Sequence, residues 1–290
     1  MMIGLVFPTD GPDDRPVDTH LDLIHMSGFD SLRLNFHHAR SHENVVDWIE
    51  VMEEIGLEPL PIIDFDYDHP DLTQVADFAA WFHREWPQYP LEVGNEPNIL
   101  HKMPARVYAS VVKAVRRAVP HAQLVLAAER TKPIAEPIYT SVMNRLRRRT
   151  YYHEVLSYLG QDDYDIVDIH AYRNPHEPAY SPRGSRTAEW ALDMREARGK
   201  RLIIGEDGWH MHETSYETIA KYWWDELVIL QDLGVERVYV YAMVGEPYDS
   251  SGKPTDDWGV YGGSGWIPRP VAKTFRDWRF SPLRLRLQSL

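Results

Sequence analysis

Two glutamates, each placed where an apolar run ends, are the residues of this sequence best suited to chemistry. Residues 91–98 read LEVGNEPN, so Glu96 follows an apolar run and precedes a proline. Because proline cannot donate to a strand ladder, the strand should end near Glu96 and leave its carboxylate at the mouth of a sheet. Residues 201–209 read RLIIGEDGW, and Glu206 there follows a second apolar run. Two carboxyl groups at the ends of two strands can cleave a glycosidic bond, one as proton donor and the other as nucleophile or base.

The rest of the chain predicts the scaffold that positions these two carboxylates. Apolar runs of strand type alternate eight times with helical patterns, without an internal repeat or a linker-like break. Eight such units predict an α/β fold, a single (β/α)8 TIM barrel, in which the active site lies at the carboxyl ends of the strands. Glu96 then ends strand four and Glu206 ends strand seven. We expect the barrel to occupy residues 1–280 and residues 281–290 to form a C-terminal tail.

The individual elements follow from hydrophobic periodicity and from glycine and proline boundaries. Besides the run that ends near Glu96, the predicted strands are residues 3–7, 31–36, 57–65, 123–128, 166–172, 202–206 and 237–243. The predicted helices are residues 17–26, 43–55, 72–86, 105–119, 139–159, 188–197, 216–233 and 270–278.

The composition and charge of the chain favour a neutral ligand. The 290 residues include 31 basic and 44 acidic residues, which gives a formal net charge of −13. Because phosphate binding needs concentrated positive charge, this balance argues against nucleic acid or an anionic membrane as partner. The absence of cysteine excludes disulfides and thiolate catalysis. The 10 Trp and 16 Tyr residues could include rings on which sugars stack.

The first residues predict where the protein resides. They read MMIGLVF and enter a strand directly, without the basic and apolar segments of a signal peptide. No apolar run is long enough to span a membrane. We therefore expect a cytoplasmic protein, although a secreted protein whose leader has been removed would look the same.

In its Asn-Glu-Pro motif and in the place of its second glutamate, the sequence resembles clan A of the retaining glycoside hydrolases, in the form of family 39 and family 5 barrels. The resemblance covers nearly the whole barrel in its order of elements and is most specific at residues 95–97. It implies that Glu96 is the general acid/base and that Glu206 is the nucleophile. It also implies that Asn95 binds the 2-hydroxyl of the sugar at the cleavage site. No cofactor is required for such a reaction.

Three further residues are candidates beside the two carboxylates. Arg33 shares one face of strand two with Asn35 and is the natural cation to keep the nucleophile ionised, although a surface ion pair is the alternative. His170 and Tyr172 are two residues apart on strand six and therefore share a face. They resemble the His-x-Tyr pair found near the nucleophile in parts of the clan, whereas a hydrogen-bonded core histidine is the competing interpretation.

The walls of a sugar site are less well defined by the sequence. A tryptophan commonly ends strand eight in the clan, but residues 239–243 read YVYAM here. We expect Tyr241 to take that part, or Trp258 to reach in from the loop 245–265, with Trp209 as a further wall. His37 and His38, which follow strand two, are candidates for binding sugar hydroxyls.

Metal-binding patterns are present but incomplete. Asp64, Asp66 and Asp68 form a D-x-D-x-D run, yet a calcium loop would need glycine and glutamate where the sequence has His69 and Val75. We expect a solvated acidic loop there, with a looser metal site or a polar substrate wall as alternatives. The sequence contains no HExxH pair, so we expect no catalytic metal.

Together these observations predict a retaining glycoside hydrolase that acts on a β-linked oligo- or polysaccharide, with carbohydrate as its partner. Two alternatives come from other classes: a carbohydrate-binding barrel without catalysis, and a metal-dependent sugar isomerase or hydrolase. The sequence leaves open which sugar is bound, whether cleavage is endo or exo, and the oligomeric state.

Overall fold

Eight parallel strands close into a barrel in the computed structural model, which describes residues 1–6, 18–37, 42–97, 102–127, 151, 154–173, 199–209, 215–241, 244–245, 260–262 and 267–281. The strands are β1 (Met2–Val6), β2 (Ser31–His37), β3 (Glu58–Asp64), β4 (Leu91–Val93), β5 (Leu124–Leu126), β6 (Ile166–Arg173), β7 (Arg201–Trp209) and β8 (Arg237–Val240). Each pairs in parallel with the next along the chain, and β8 pairs with β1. The predicted (β/α)8 barrel is confirmed.

Helices lie between the strands, as the periodicity predicts. They are α1 (Asp18–Met26), α2 (His42–Ile55), α3 (Leu72–Glu85), α4 (Ala105–Ala118), α5 (Tyr216–Asp232) and α6 (Pro270–Arg279). The carboxylate of Asp71 caps α3 by accepting the backbone N–H groups of Thr73 and Gln74 at 3.0 and 3.1 Å. A proline at the first position begins α6, where its missing N–H costs nothing.

The alternation of side chains along the strands divides the core into two parts. On β2, Leu32, Leu34 and Phe36 face outward into the large apolar cluster between the barrel and its helices. The inward face supplies the barrel interior, and Arg33 lies on it, as predicted. The apolar floor of that interior consists of Val6, Leu60, Val125, Ile166, Ile203 and Tyr239.

Three short strands form a second, smaller sheet. They are β9 (Val244–Gly245), β10 (Tyr261–Gly262) and β11 (Ile267–Pro268). Three predicted segments stay predictions because they lie outside the described residues: the helix 188–197, most of the helix 139–159, and residues 282–290 of the tail 281–290. Among the helices that the structure describes, none is long and apolar enough to cross a membrane.

Candidate functional site

The chain leaves β4 through a strained turn that carries Glu96. The strand ends at Val93, three residues earlier than Glu96, because Gly94 adopts a left-handed backbone with φ 76°. A side chain at Gly94 would meet the ring of Phe65 at 3.1 Å. Glu96 is itself left-handed, with φ 43°, a conformation that a non-glycine residue adopts only when its surroundings enforce it. The backbone at the predicted acid/base is therefore under strain.

Two tyrosine hydroxyls contact this turn. The hydroxyl of Tyr67 accepts the backbone N–H of Asn95. The hydroxyl of Tyr108, on α4, donates to the carbonyl of Val93 at 2.8 Å and accepts the N–H of Ala127 at 2.8 Å. Hydrogen bonds therefore fix the backbone immediately before and within the turn that carries Glu96.

The second glutamate reaches the barrel interior through a β-bulge. The register between β6 and β7 shifts after Ile169, so that Ile204 pairs with Ile169 while Glu206 pairs with His170. Strict alternation from the inward-facing Ile203 would turn Glu206 away from the interior, and the extra residue, Gly205, corrects this. The bulge therefore places the Glu206 carboxylate inside the barrel.

Only glycine fits at the bulge. The N–H of Gly205 donates to Asp168 on β6, and a Cβ at Gly205 would lie 2.0 Å from the other oxygen of that carboxylate. Asp168 is fully buried. The close approach of its carboxylate to the backbone explains why the sequence has glycine immediately before Glu206.

Arg33 joins the ends of β4 and β7. Its side chain is 1% exposed and donates from Nε and Nη2 to both oxygens of Glu92, at 2.8 and 2.6 Å. Nη1 donates to Glu206 at 2.8 Å, and Nη2 donates to Oδ1 of Asn95 at 3.0 Å. Burial alone would lower the pKa of Arg33, but Glu92, with Glu206 and Asp168, raises it well above its usual value. The predicted cation therefore contacts the predicted nucleophile.

His170 lies between the same carboxylates and is fully buried. Its Nδ1 is 2.8 Å from Oε1 of Glu96 and 3.4 Å from Oε2 of Glu206, while Nε2 is 3.3 Å from Oδ2 of Asp168. Burial lowers the pKa of His170, but the charges of Glu206 and Asp168 and the hydrogen bonds outweigh it and raise the pKa to about 10. This pKa corresponds to a positively charged ring at neutral pH, and Nη2 of Arg33 lies within hydrogen-bond distance of Nε2, at 3.2 Å.

The four carboxylates form two pairs along the barrel axis. We call Glu96 and Glu206 the outer pair, and we call Glu92 and Asp168, which come earlier on β4 and β6, the inner pair. One atom each of Glu96, Glu206 and His170 lie within 4.8 Å of one another, and the same holds for Glu92, Asp168 and His170. Arg33 and His170 each contact both pairs.

The inner pair has two different electrostatic environments. Burial raises the pKa of Glu92 to about 7, against the opposing effect of Arg33. Burial would also raise the pKa of Asp168, but His170, followed by Arg33, lowers it below its usual value. The charges of His170 and Arg33 therefore outweigh burial at Asp168, whereas burial outweighs Arg33 at Glu92.

These two groups of side chains have the donor types of a divalent-cation site. The guanidinium of Arg33, however, already neutralises Glu92 and Glu206 through hydrogen bonds of 2.6–2.8 Å. A metal ion bound by these carboxylates would lie beside two cationic side chains, Arg33 and His170. The residues present therefore do not fit a metal ion.

The remaining predicted residues lie at the same end of the barrel or outside the described residues. Tyr241 follows β8 and packs against the barrel floor. His37 ends β2, where it pairs with Asp64 on β3. The backbones of Tyr172 and Trp209 lie in β6 and β7, paired with Gly208 and Arg173. His38 and Trp258 lie outside the described residues, so their predicted roles stay untested.

The acidic loop after β3 forms a turn. Oδ1 of Asp66 accepts the backbone N–H groups of Asp68 and His69 at 3.0 and 3.2 Å. Asp64 accepts the N–H of Phe65 at 3.0 Å. These contacts are those of a turn built on aspartate side chains.

Sequence reasoning missed the inner pair, although a signal was present. Glu92 is four residues before Glu96, and Asp168 is two residues before His170. In a strand, residues two and four apart share a face. The strand pattern therefore places Glu92 on the same face as Glu96, and Asp168 on the same face as His170.

Comparison with known proteins identifies the fold. No family model matches the chain, and no curated protein sequence matches it. Among solved structures, it is similar to a family 39 glycoside hydrolase from Bacteroides cellulosilyticus WH2, with 17% identity and a TM-score of 0.70. That match covers 94% of this chain, which spans only 62% of the enzyme's length.

Two further structures share the architecture over most of their own length. The endo-1,4-beta-D-mannanase of Thermotoga petrophila RKU-1 is 14% identical, with a TM-score of 0.66, and the match covers 96% of this chain and 99% of the mannanase. A beta-1,3-glucanosyltransferase mutant of Rhizomucor miehei is 16% identical, with a TM-score of 0.61, and the match covers 93% and 96%. The resemblance to clan A barrels inferred from the sequence is thus confirmed at the level of the fold.

Proposed function

We propose that this protein is a retaining glycoside hydrolase that cleaves a β-linked glycan or glycoside by double displacement. The outer pair carries the proposal. Glu96 and Glu206 come from the ends of β4 and β7, are 2% and 5% exposed, and bring carboxylate oxygens within 4.8 Å of each other. Retaining enzymes need carboxyl groups about 5–5.5 Å apart, whereas inverting enzymes need room for a water molecule between them.

The roles within the pair follow from their neighbours. Glu206 accepts a hydrogen bond from the guanidinium of Arg33 at 2.8 Å, and we assign to this paired carboxylate the attack on the anomeric carbon. Glu96 then protonates the leaving oxygen and later activates the water that hydrolyses the glycosyl-enzyme. Asn95 precedes Glu96 in the chain, and its Oδ1 accepts a hydrogen bond from Arg33 at 3.0 Å, so we propose that its amide group binds a sugar hydroxyl at this site.

The names of the structural neighbours support a β-linked substrate. The mannanase and the glucanosyltransferase are each named for a β-linkage. Neutral glycans also agree with the acidic net charge of −13. We therefore propose a carbohydrate partner, and no nucleic acid, membrane or cofactor is needed for the reaction.

The test is product release from β-glucans, xylans, mannans, galactans and aryl β-glycosides by the wild type and by two variants. Glu206→Gln and Glu96→Gln keep the shape of each side chain but remove the charge or the proton. We expect both to remain folded and to lose most of their activity on natural glycans. Glu217→Gln, an exposed carboxylate in the first turn of α5, is the matched control and should retain full activity.

Each result decides between the candidate functions. Full activity of both site variants would overturn the assignment. Binding of one glycan without turnover by the wild type would instead indicate a carbohydrate-binding barrel. Activity that a chelator abolishes would indicate a metal-dependent enzyme.

A further inference from the structure

We propose that His170 stores the proton that Glu96 delivers to the leaving group, and that the charge on Glu206 controls its release. This inference rests on the proposed function, because it adds a third residue to the same double displacement. Its basis is the position of one ring nitrogen. Nδ1 of His170 is 2.8 Å from Glu96 and 3.4 Å from Glu206, so it contacts both members of the outer pair.

The contact raises a question about the first step. A general acid must hold a proton when the substrate binds. Oε1 of Glu96 and Nδ1 of His170, however, are joined by one hydrogen bond of 2.8 Å, which holds a single proton between the two atoms. The two observations agree if the pair of side chains, rather than Glu96 alone, carries one transferable proton, which rests on Nδ1.

The surroundings of the ring favour this resting state. Asp168 on β6 lies 3.3 Å from Nε2, and Glu206 on β7 faces Nδ1. Glu92 on β4 has a carboxylate oxygen within 4.8 Å of a ring nitrogen, and Arg33 on β2 contributes an opposing positive charge. Burial lowers the pKa of His170, but the charges of Glu206 and Asp168, with hydrogen bonds to Asp168 and Glu96, outweigh it and raise the pKa to about 10.

The two ring nitrogens of His170 have different neighbours. Nε2 lies 3.3 Å from Oδ2 of Asp168 and 3.2 Å from Nη2 of Arg33, whereas Nδ1 is the nitrogen within hydrogen-bond distance of Glu96. Nδ1 is therefore the nitrogen that can exchange a proton with Glu96 directly. Since Gly205 donates its N–H to the same Asp168 carboxylate, the bulge that positions Glu206 also positions the carboxylate beside Nε2.

In the first step the proton moves outward. Nδ1 gives it to Glu96, and Glu96 gives it to the glycosidic oxygen as the bond from that oxygen to the anomeric carbon breaks. The electron pair of that bond stays on the leaving oxygen, while a Glu206 carboxylate oxygen forms an ester with the anomeric carbon. His170 is then neutral and Glu96 is a carboxylate.

Formation of the ester lowers the affinity of His170 for a proton during the second step. Glu206 loses its negative charge when it is esterified, and that charge was a main cause of proton binding at His170. A neutral ring leaves Glu96 free to take a proton from water, whose oxygen attacks the anomeric carbon. The ester bond breaks, its electron pair returns to Glu206, and the restored charge draws the proton from Glu96 back to Nδ1.

The test compares leaving groups, because a good leaving group needs no proton. His170→Asn keeps an amide N–H donor on the side of Nδ1 but cannot store a proton. We would measure kcat/KM, which reports the first step, for phenyl and 2,4-dinitrophenyl glycosides of the sugar that the glycan panel identifies. We expect a loss of about 100-fold on the phenyl glycoside. The loss on the dinitrophenyl glycoside should be at least about tenfold smaller.

The pH profile provides a second readout. The basic limb of kcat/KM for the phenyl glycoside should move to lower pH in His170→Asn. The reason is that, without the histidine, the site no longer keeps its transferable proton up to the pH at which His170 would release it. Equal losses on both glycosides with an unmoved basic limb would show that His170 only holds the carboxylates in place, and would overturn the inference. Glu206→Gln in the same series distinguishes a failure of this inference from a failure of the proposed function, because full activity of that variant would refute the proposed function itself.

A measurement on the wild type covers the case in which His170→Asn does not fold. Protein labelled with ¹⁵N-histidine would be compared before and after Glu206 is trapped as an ester by a 2-deoxy-2-fluoro glycoside. We expect one imidazolium signal at neutral pH to become that of a neutral ring. Histidine signals that all keep their protonation state would overturn the inference.

Discussion

Glu96 and Glu206 meet at one site, but the backbone presents them in two different ways. β4 is only three residues long, and Glu96 lies beyond its end, on a turn with left-handed residues. β7 is nine residues long, and Glu206 lies within it, next to a bulge. The position of Glu96 therefore depends on hydrogen bonds to a turn, whereas that of Glu206 depends on close packing inside the sheet.

This difference matches what each role requires. A nucleophile has to meet one carbon atom along a fixed line, and a residue inside a paired strand is well fixed. A general acid/base has to exchange protons with the leaving group, with water and, in our proposal, with His170. The turn carries the Glu96 carboxylate beyond the end of β4, where it contacts His170 at 2.8 Å.

The largest expected effect comes from removing each carboxylate in turn and supplying azide. Glu206→Ala should lose on the order of 10⁴-fold or more of its activity, and Glu96→Ala about 10²–10⁴-fold. With a β-glycoside that has a good leaving group, azide should restore turnover in both variants. Azide replaces water in Glu96→Ala and so gives the β-glycosyl azide, but it replaces the nucleophile in Glu206→Ala and so gives the α-glycosyl azide.

The product configurations, read by NMR, test whether the two roles are assigned correctly. The opposite pair of configurations would mean that Glu96 is the nucleophile. The same azide product from both variants would contradict double displacement at this pair.

Gly205→Ala tests the packing that presents Glu206. The new Cβ would lie 2.0 Å from a fully buried carboxylate oxygen of Asp168, so Asp168 must move away from His170. Breaking such a buried contact should lower the free energy of unfolding by about 3–5 kcal/mol and abolish most activity. Urea unfolding and product release would measure both.

Gly160→Ala is the matched control for this substitution. Its Cβ would lie 3.5 Å from the nearest atom, in ordinary contact, and Gly160 has a negative φ of −73°. It should change the free energy of unfolding by no more than about 0.5 kcal/mol. A Gly205→Ala protein as stable as this control would show that the bulge adjusts and that packing does not fix Glu206.

The turn after β4 and the bulge in β7 also differ in how far the sequence could predict them. Alternation along β2 placed Arg33 on the inner face, and the proline after Glu96 indicated that β4 ends near Glu96, although the strand ends three residues earlier, at Val93. These signals are local, because each depends on residues adjacent in the chain. The bulge at Gly205 is not local, since it is defined by the register of β7 against both of its neighbours.

The inner pair was missed for a related reason. Glu92 and Asp168 lie inside apolar runs, where a buried acid is costly unless opposite charges offset it. The charges that do so, on Arg33 and His170, come mostly from other strands. Only the closed barrel brings these charges together, so the alternation along a single strand can place each acid on the inner face but cannot show what offsets its burial.

The smallest expected effect tests the hydrogen bonds that present Glu96. Tyr67→Phe removes the hydroxyl that accepts the N–H of Asn95, and leaves that N–H without its partner in a buried turn. We expect the free energy of unfolding to fall by about 1–3 kcal/mol and kcat by about tenfold, because the strained backbone at Glu96 can relax. Tyr89→Phe is the control: its hydroxyl donates to Glu53 at 2.7 Å on the surface, and its loss should leave kcat unchanged. Tyr67→Phe could instead lower stability but leave kcat and the pH profile at wild-type values. The Glu96 turn would then keep its geometry without the hydroxyl. That result would contradict the contrast between a turn fixed by hydrogen bonds and a strand fixed by packing.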